Sequence, residues 1–347
     1  MNMMFRLKKI FLTLFLWLAM GVLFAQQSSH LQPSMATIKE RLQKEIARLS
    51  ILSGGMLGVS AIHIESGGII NQNEEELFPM ASSYKVPIAI QLLTKVDSGI
   101  YSIDQLIEIQ KSDLHPGSGM IADRFNWPNS KKPGVALSIR SLMELMLLIS
   151  DNSATDICLR LAGGPSSVNA CMKRLGILGL RVDRPTSFLI ADFLGISMNK
   201  QSAWSPALFD SLAKKIKPED ESFYSKKFDS TKMDVCTPTA MTMLLTKLFK
   251  EPILKAESKD LLLDIMKRCE SGLARLKGVL PPGTEVMHKT GTIGMTTNDV
   301  GIIILPDTIG HIAISVFVKS SERPIPERER AIAEVTRAIY DYFILQY

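Results

Sequence analysis

Two periods of apolar and polar positions alternate along the chain, and the points where the period changes divide it. From Thr37 to Leu49, the residues Ile38, Leu42, Ile46 and Leu49 fall on one face of an amphipathic helix, with Thr37 as its N-cap. Met56–Ile64 then reads as a strand, and Glu65-Ser-Gly-Gly68 turns it back into a second short run, together a hairpin. From Ser82 to about Leu273 the pattern is mostly helical, with helices predicted over 86–96, 139–148, 154–161, 167–175 and 238–248. Strand character returns at Val300–Leu305 and His311–Val318, joined by a turn at Pro306–Gly310. Pro326–Tyr342 closes the chain as a helix with Ile332, Val335, Ile339 and Tyr342 on one face.

Strands near both ends with helices between them predict one sheet assembled from distant parts of the chain. Terminal helices would cover that sheet, and the helical middle would form a second lobe. The expected architecture is α/β, and the expected site is the seam between lobe and sheet. There is no internal repeat. Two stretches read as loops, Leu114–Gly134 and Arg184–Thr237. The second is too long for a plain connection and should carry some helix of its own.

Composition changes this picture mainly at the N-terminus. The 347 residues are 46% hydrophobic, enough for a sizeable core and too apolar for disorder. Arg6, Lys8 and Lys9 precede the nearly uncharged run Ile10–Phe24, and Ala25-Gln26 offers a small-residue cleavage point. That is the layout of a secretory signal peptide over residues 1–25. An uncleaved anchor needs roughly 20 apolar residues, more than the run holds, and no Cys follows it to carry a lipid. The mature chain, 26–347, is expected as a single two-lobed catalytic domain, periplasmic or secreted, monomeric and without a stable membrane anchor. Cleavage removes three basic residues and no acidic ones, bringing the formal charge from +5 to +2. So nearly neutral a protein gives no reason to invoke nucleic acid. Cys158, Cys171, Cys236 and Cys269 allow three pairings, among which spacing does not choose. The five histidines are scattered, without the clusters a zinc hydrolase needs, so no metal or other cofactor is expected.

The chemistry lies in three short motifs. Ser82-Ser-Tyr-Lys85 sets a hydroxyl and an amine three residues apart, on one face of a helix. The same spacing recurs at Ser197–Lys200 and Ser211–Lys214, so alone it says little. Its company separates it: Ser150-Asp-Asn152 and Lys289-Thr-Gly291 follow in order, each triplet occurring once. A serine hydroxyl is a poor nucleophile without a base. Lys85 can be that base only if burial and a second cation, for which Lys289 is the obvious choice, draw its amine down from roughly 10.4 toward neutrality.

With these motifs the chain resembles the class A β-lactamases from about residue 37 to its C-terminus. Met266–Thr284 resembles the segment that leads into the family's Lys-Thr-Gly strand, and Asn298-Asp-Val-Gly-Ile302 the strand after it. The resemblance implies an antiparallel sheet flanked by terminal helices plus an all-helical lobe, the β-lactamase/transpeptidase-like fold. It implies that Ser82 attacks the amide carbonyl, that Ser150 relays a proton to the departing nitrogen, and that Asn152 binds the substrate's side-chain amide. It gives the Lys289-Thr290-Gly291 strand and Thr292 the substrate carboxylate, and the backbone N–H groups of Ser82 and Thr292 the oxyanion. Arg275 lies where some members place a second carboxylate-binding cation; as a sequence position it reads equally as a solvated helix residue. Asp151 reads as a carboxylate fixing its loop, and His288 as a packing residue.

The pattern breaks in one place that matters. The family's loop after Ser-Asp-Asn carries an Arg and, two residues later, a Glu that activates the deacylating water. Here that stretch is Arg184-Pro-Thr186, and a Thr is no general base near neutral pH. The insertion over about 184–237 is also about thirty residues longer than the family's loop, a length typical of functional or partly folded insertions. Near Gly117, where a family aromatic walls the site, there is no side chain. Three readings follow. The first is a β-lactamase acting on small-molecule β-lactams, with another carboxylate as base, for which Asp192 in the same loop is the candidate. The second is a DD-peptidase-like enzyme acting on peptidoglycan stem peptides. The third is a covalent β-lactam-binding module. Similarity along the whole chain places the first ahead.

Overall fold

In the computed structural model, which describes residues 35–115, 117–125, 134–196, 211, 214–215 and 218–346, a five-stranded antiparallel sheet runs in the order β2-β1-β9-β8-β7. In chain order, α1 (Met35–Ser50) leads to β1 (Met56–His63) and β2 (Ile69–Gln72), the expected hairpin. After β3 (Phe78–Pro79) a 3-10 turn, Ala81–Tyr84, runs directly into α2 (Lys85–Asp97). β4 (Leu106–Glu108), α3 (Ile121–Phe125) and β5 (Ala136–Ser138) lead to α4 (Ile139–Leu148), α5 (Asn152–Leu161) and α6 (Gly164–Arg174). Then come α7 (Thr186–Phe193), α8 (Pro218–Asp229), β6 (Val235–Cys236), α9 (Pro238–Lys250) and α10 (Ala256–Lys267). The chain closes with β7 (Val286–Ile293), β8 (Thr296–Ile304), β9 (His311–Lys319) and α11 (Ile325–Ile344). From Glu45 onward these elements pack as one compact unit.

The sheet is covered on both faces, and its residues explain how. β9 is buried along almost its whole length, as a strand with no solvent face must be. On β1, Gly58 and Ser60 point to the α9 side, where Thr242 Oγ1 donates to Ser60 O at 2.9 Å. His63, of opposite parity, stacks on Phe343 of α11 with ring centroids 5.3 Å apart. The C-terminal helix therefore covers one face and α9 the other. The helical part centres on α2, whose residues from Lys85 to Leu93 are all buried. Among the described residues no helix is long and apolar enough to cross a membrane.

Most predicted elements stand, with ends shifted by a few residues. The two-stranded pairings β3–β6 and β4–β5 escaped the pattern because two or three residues are too few to show alternation. The long insertion does contain helix, α7 at its start and α8 near its end. The signal-peptide run, and the second Ser-x-x-Lys at Ser197–Lys200, lie outside the described residues. All four cysteines are buried free thiols.

The edge strand β7 lies against the Ala81–Tyr84 turn, and Gly291 sets how closely. A Cβ on Gly291 would stand 2.5 Å from Met80 O and 3.1 Å from Ser83 N, so only glycine lets the two backbones touch. Gly291→Ala is expected to cost about 1–3 kcal/mol by forcing this seam apart, read as a lowered urea midpoint.

Candidate active site

The nucleophile turn is held from three sides. Asn298 on β8 donates through Nδ2 to Pro79 O (2.8 Å) and Met80 O (3.0 Å), and Ser83 Oγ also donates to Met80 O (2.7 Å). Met80 N donates to Asp234 O at 2.9 Å. Between these anchors Ala81 takes a left-handed φ of +46°, a conformation that costs a residue with a Cβ roughly 1–3 kcal/mol. Ser150 is another residue in this region, at φ +62°. Ala81 directly precedes Ser82, and Ser150 opens the Ser-Asp-Asn motif, so each left-handed residue stands within two positions of a residue that lines the cleft.

That cleft has a volume of about 310 Å³ and is lined by Ser82, Ser118, Asn152, Thr186 and Thr292, with an apolar wall from α7 that includes Leu189, Ile190 and Phe193. Behind it, Lys85 is fully buried. Its Nζ donates to Ser150 O (2.7 Å), Ser150 Oγ (2.9 Å) and Asn152 Oδ1 (3.1 Å). Burial holds this amine well below its ordinary value, and the ammonium of Lys289 adds to the shift. Asp151 and Asp156 pull the other way and are outweighed. Lys289, equally buried, is lowered chiefly by burial and also by Arg275. Asp151 caps α5 at Ala154 N (2.8 Å) and accepts from Ile121 N (2.9 Å), so both its oxygens serve the loop.

On the sheet side the Lys-Thr-Gly strand is tied from behind. Thr290 Oγ1 bonds Ser271 Oγ at 2.6 Å. Arg275 is no solvated helix residue: it is buried, and it donates through Nη2 to Thr292 Oγ1 (2.6 Å) and through Nη1 to Gly291 O (3.1 Å) and Asn298 O (2.8 Å). Glu329 pairs with its Nε at 3.0 Å. His288 is buried against Asp299, Nδ1 to Oδ1 2.9 Å. The structure thus gathers Ser82, Lys85, Ser150, Asn152, Lys289, Thr290, Gly291, Thr292 and Arg275 around one seam.

Asp192 is not among them. Its carboxylate pairs with Arg184 Nη1 at 2.7 Å and lines a separate cavity with Phe223 and Lys227. The helical geometry of α7 is the reason: Leu189, Ile190 and Phe193 take its cleft face, and Asp192 is left on another. The water-activating role expected of Asp192 would need it in the cleft, and the structure places it outside the cleft lining. Gly117, at the cleft mouth, has φ +96°, and a Cβ there would stand 2.6 Å from Asn152 Nδ2, so no aromatic could replace it without moving Asn152.

The structure adds residues that the motifs did not single out. Thr186 Oγ1 hydrogen-bonds the buried hydroxyl of Tyr84, the third residue of the Ser-x-x-Lys motif. Burial keeps that phenol protonated, its pKa pushed well above the ordinary tyrosine value. Asp156 accepts from Thr186 N (2.6 Å) and Ser187 N (3.1 Å) and lies 3.2 Å from His115 Nε2. Arg184 and Asp234 form a buried pair at 2.6 Å that closes the loop. Tyr84 was visible as a polar aromatic inside a motif; Asp156 and Asp234 gave no local signal.

Comparison with known proteins follows the geometry. The family profile described as the β-lactamase enzyme family matches residues 41–343. The chain is 31% identical to β-lactamase VEB-1 of Pseudomonas aeruginosa over 88% of its own length and 91% of the relative's. It is 30% identical to a β-lactamase of Bacteroides uniformis, with 84% of this chain and 88% of that one covered. Among solved structures, the TLA-1 extended-spectrum β-lactamase superposes with a TM-score of 0.71 at 29% identity, covering 88% of this chain and 99% of the other. A β-lactamase from Chitinophaga pinensis gives 0.69 at 28% identity, with coverages of 87% and 98%.

Proposed function

The chain belongs to the class A β-lactamase family, and from that premise we propose a serine hydrolase that opens the amide of β-lactams through an ester on Ser82. The observation that carries the assignment of residues is the Lys85–Ser150–Asn152 network standing directly behind Ser82 in the cleft. A buried, neutral amine takes the Ser82 proton as the hydroxyl attacks, and the Ser150 hydroxyl passes it to the leaving nitrogen. The backbone N–H groups of Ser82 and Thr292 face the developing oxyanion, where one donor is typically worth about 10²–10³ in rate. Lys289, Thr290 and Thr292 hold the substrate carboxylate, with Arg275 fixing the Thr292 hydroxyl and adding positive charge from below. Asn152 meets the side-chain amide, and the apolar face of α7 receives the group beyond it.

The reading extends to biology. Residues 1–25 direct export, the mature protein works as a periplasmic or secreted monomer, and its activity confers resistance to β-lactam antibiotics. The relatives are named as β-lactamases over most of both chains, which disfavours the peptidoglycan peptidase. Purified protein mixed with a chromogenic cephalosporin is expected to show sustained colour over many turnovers. A stoichiometric burst with a lasting adduct would instead mark a peptidase or a sensor.

A further inference from the structure

The reading above leaves open how the Ser82 ester is released, since Thr186 stands where the family places a carboxylate. Every described residue that lines the cleft is uncharged. Thr186 spends its hydroxyl on Tyr84, Asp156 has backbone N–H groups on both oxygens, and Asp192 is paired with Arg184 in another cavity. Two described basic groups reach the cleft wall by hydrogen bonds: Arg275 through Thr292, as a guanidinium that does not give up its proton, and the Lys85 amine through Asn152, with Ser150 Oγ also on it.

We propose that Lys85, acting through the Ser150 hydroxyl, is the base of the deacylation step as well as of acylation. A water gives a proton to Ser150 Oγ while that hydroxyl passes its own to Lys85 Nζ. The hydroxide oxygen bonds to the ester carbonyl carbon. Collapse of the tetrahedral intermediate breaks the bond to Ser82 Oγ, and the serine takes its proton back from the ammonium along the same path. The open acid leaves, and the amine is neutral again. The groups facing Lys85 fit this double duty. Lys289 on β7 opposes its protonation, while the carboxylates of Asp151 ahead of α5 and Asp156 within it stabilise the ammonium once formed; Cys158, also facing it from α5, stays a neutral thiol because burial pushes its pKa far up.

This inference rests on the proposed β-lactamase reading, and one experiment separates the two. The protein is acylated with a slowly released β-lactam, excess drug is removed, and decay of the Ser82 adduct is followed by intact mass across a wide pH range. An amine base must be unprotonated to act, so the decay rate is expected to climb about tenfold per pH unit below the lysine's midpoint and then level off. Ser150→Ala is expected to slow decay at least about tenfold at every pH, because it removes the relay. A normal adduct whose decay is flat from the ordinary carboxylate range upward overturns the inference alone and identifies a carboxylate base. Unchanged decay in Ser150→Ala also overturns it. Absence of any adduct on Ser82 overturns it together with the reading on which it rests.

Discussion

Ser82→Ala is expected to abolish covalent capture of β-lactams and to bring their hydrolysis to the background rate, with the fold intact. Both halves of the expectation come from the same local structure. Chemically, Ser82 is the hydroxyl in the cleft that shares a helical face with the Lys85 amine. Ser118 also lines the cleft, but its Oγ is committed to Ser150 O at 2.7 Å. Structurally, the turn is held by backbone and by its neighbours: Asn298 and Ser83 on Met80 O, and Asp234 on Met80 N. None of those bonds uses the Ser82 side chain. Deleting one half-buried hydroxyl that supports nothing should move stability by no more than about 0.5 kcal/mol. Intact mass after incubation with a penicillin, colour release from a cephalosporin and a thermal melt read the three quantities together. An adduct on the alanine variant would transfer the nucleophile to another serine; a large fall in melting temperature would mean that the hydroxyl is structural.

How much of this was legible without coordinates depends on the range over which each interaction acts. The Ser-x-x-Lys pair is local, and its i to i+3 spacing already places both groups on one helical face. The order of the three motifs, and strands at both ends of a helical middle, led to the right architecture. What stayed hidden was long-range. That β7 presses its edge against the Ala81–Tyr84 turn depends on sheet order and on Gly291 lacking a Cβ, neither of which is a periodicity. Arg275 looked the same whether solvated or buried, because nothing near it in sequence says that Thr292 and Asn298 receive its protons. Asp192 misled for the opposite reason. Its position in the right loop suggested the right cleft, but the direction of α7 is fixed by Asp156 at its first turn and by the Arg184–Asp234 pair, groups 30 and 50 residues apart in the chain.

That pair leads to the second large effect. Arg184→Ala is expected to destabilise the protein by about 3–5 kcal/mol near neutral pH, because it leaves the Asp234 carboxylate buried without its cation. Asp234 gathers the loop: its oxygens accept from Asp183 N (2.7 Å) and Arg184 Nε (2.6 Å), and its backbone carbonyl holds Met80, two residues before the nucleophile. Even with Arg184 present, burial outweighs the cation and pushes the Asp234 carboxyl above the usual carboxylate range. Removing the guanidinium pushes it further. Between the wild-type and variant values the variant's native state holds the extra proton, so the stability deficit grows as pH rises through that window and shrinks as pH falls back below it. Urea unfolding at roughly pH 5 and pH 8 should therefore show the smaller loss in acid. A deficit that is independent of pH would mean that lost packing of Arg184 against Phe228, not the orphaned carboxylate, carries the effect. The loosened loop also frees α7, whose Leu189, Ile190 and Phe193 form the apolar wall of the cleft. KM for substrates with large apolar side chains should then rise while the chemistry at Ser82, anchored independently by Asn298 on β8, is retained. A fall in acylation rate at saturating substrate, with KM unchanged, would show that Asp234's hold on Met80 matters more to the nucleophile than to the wall.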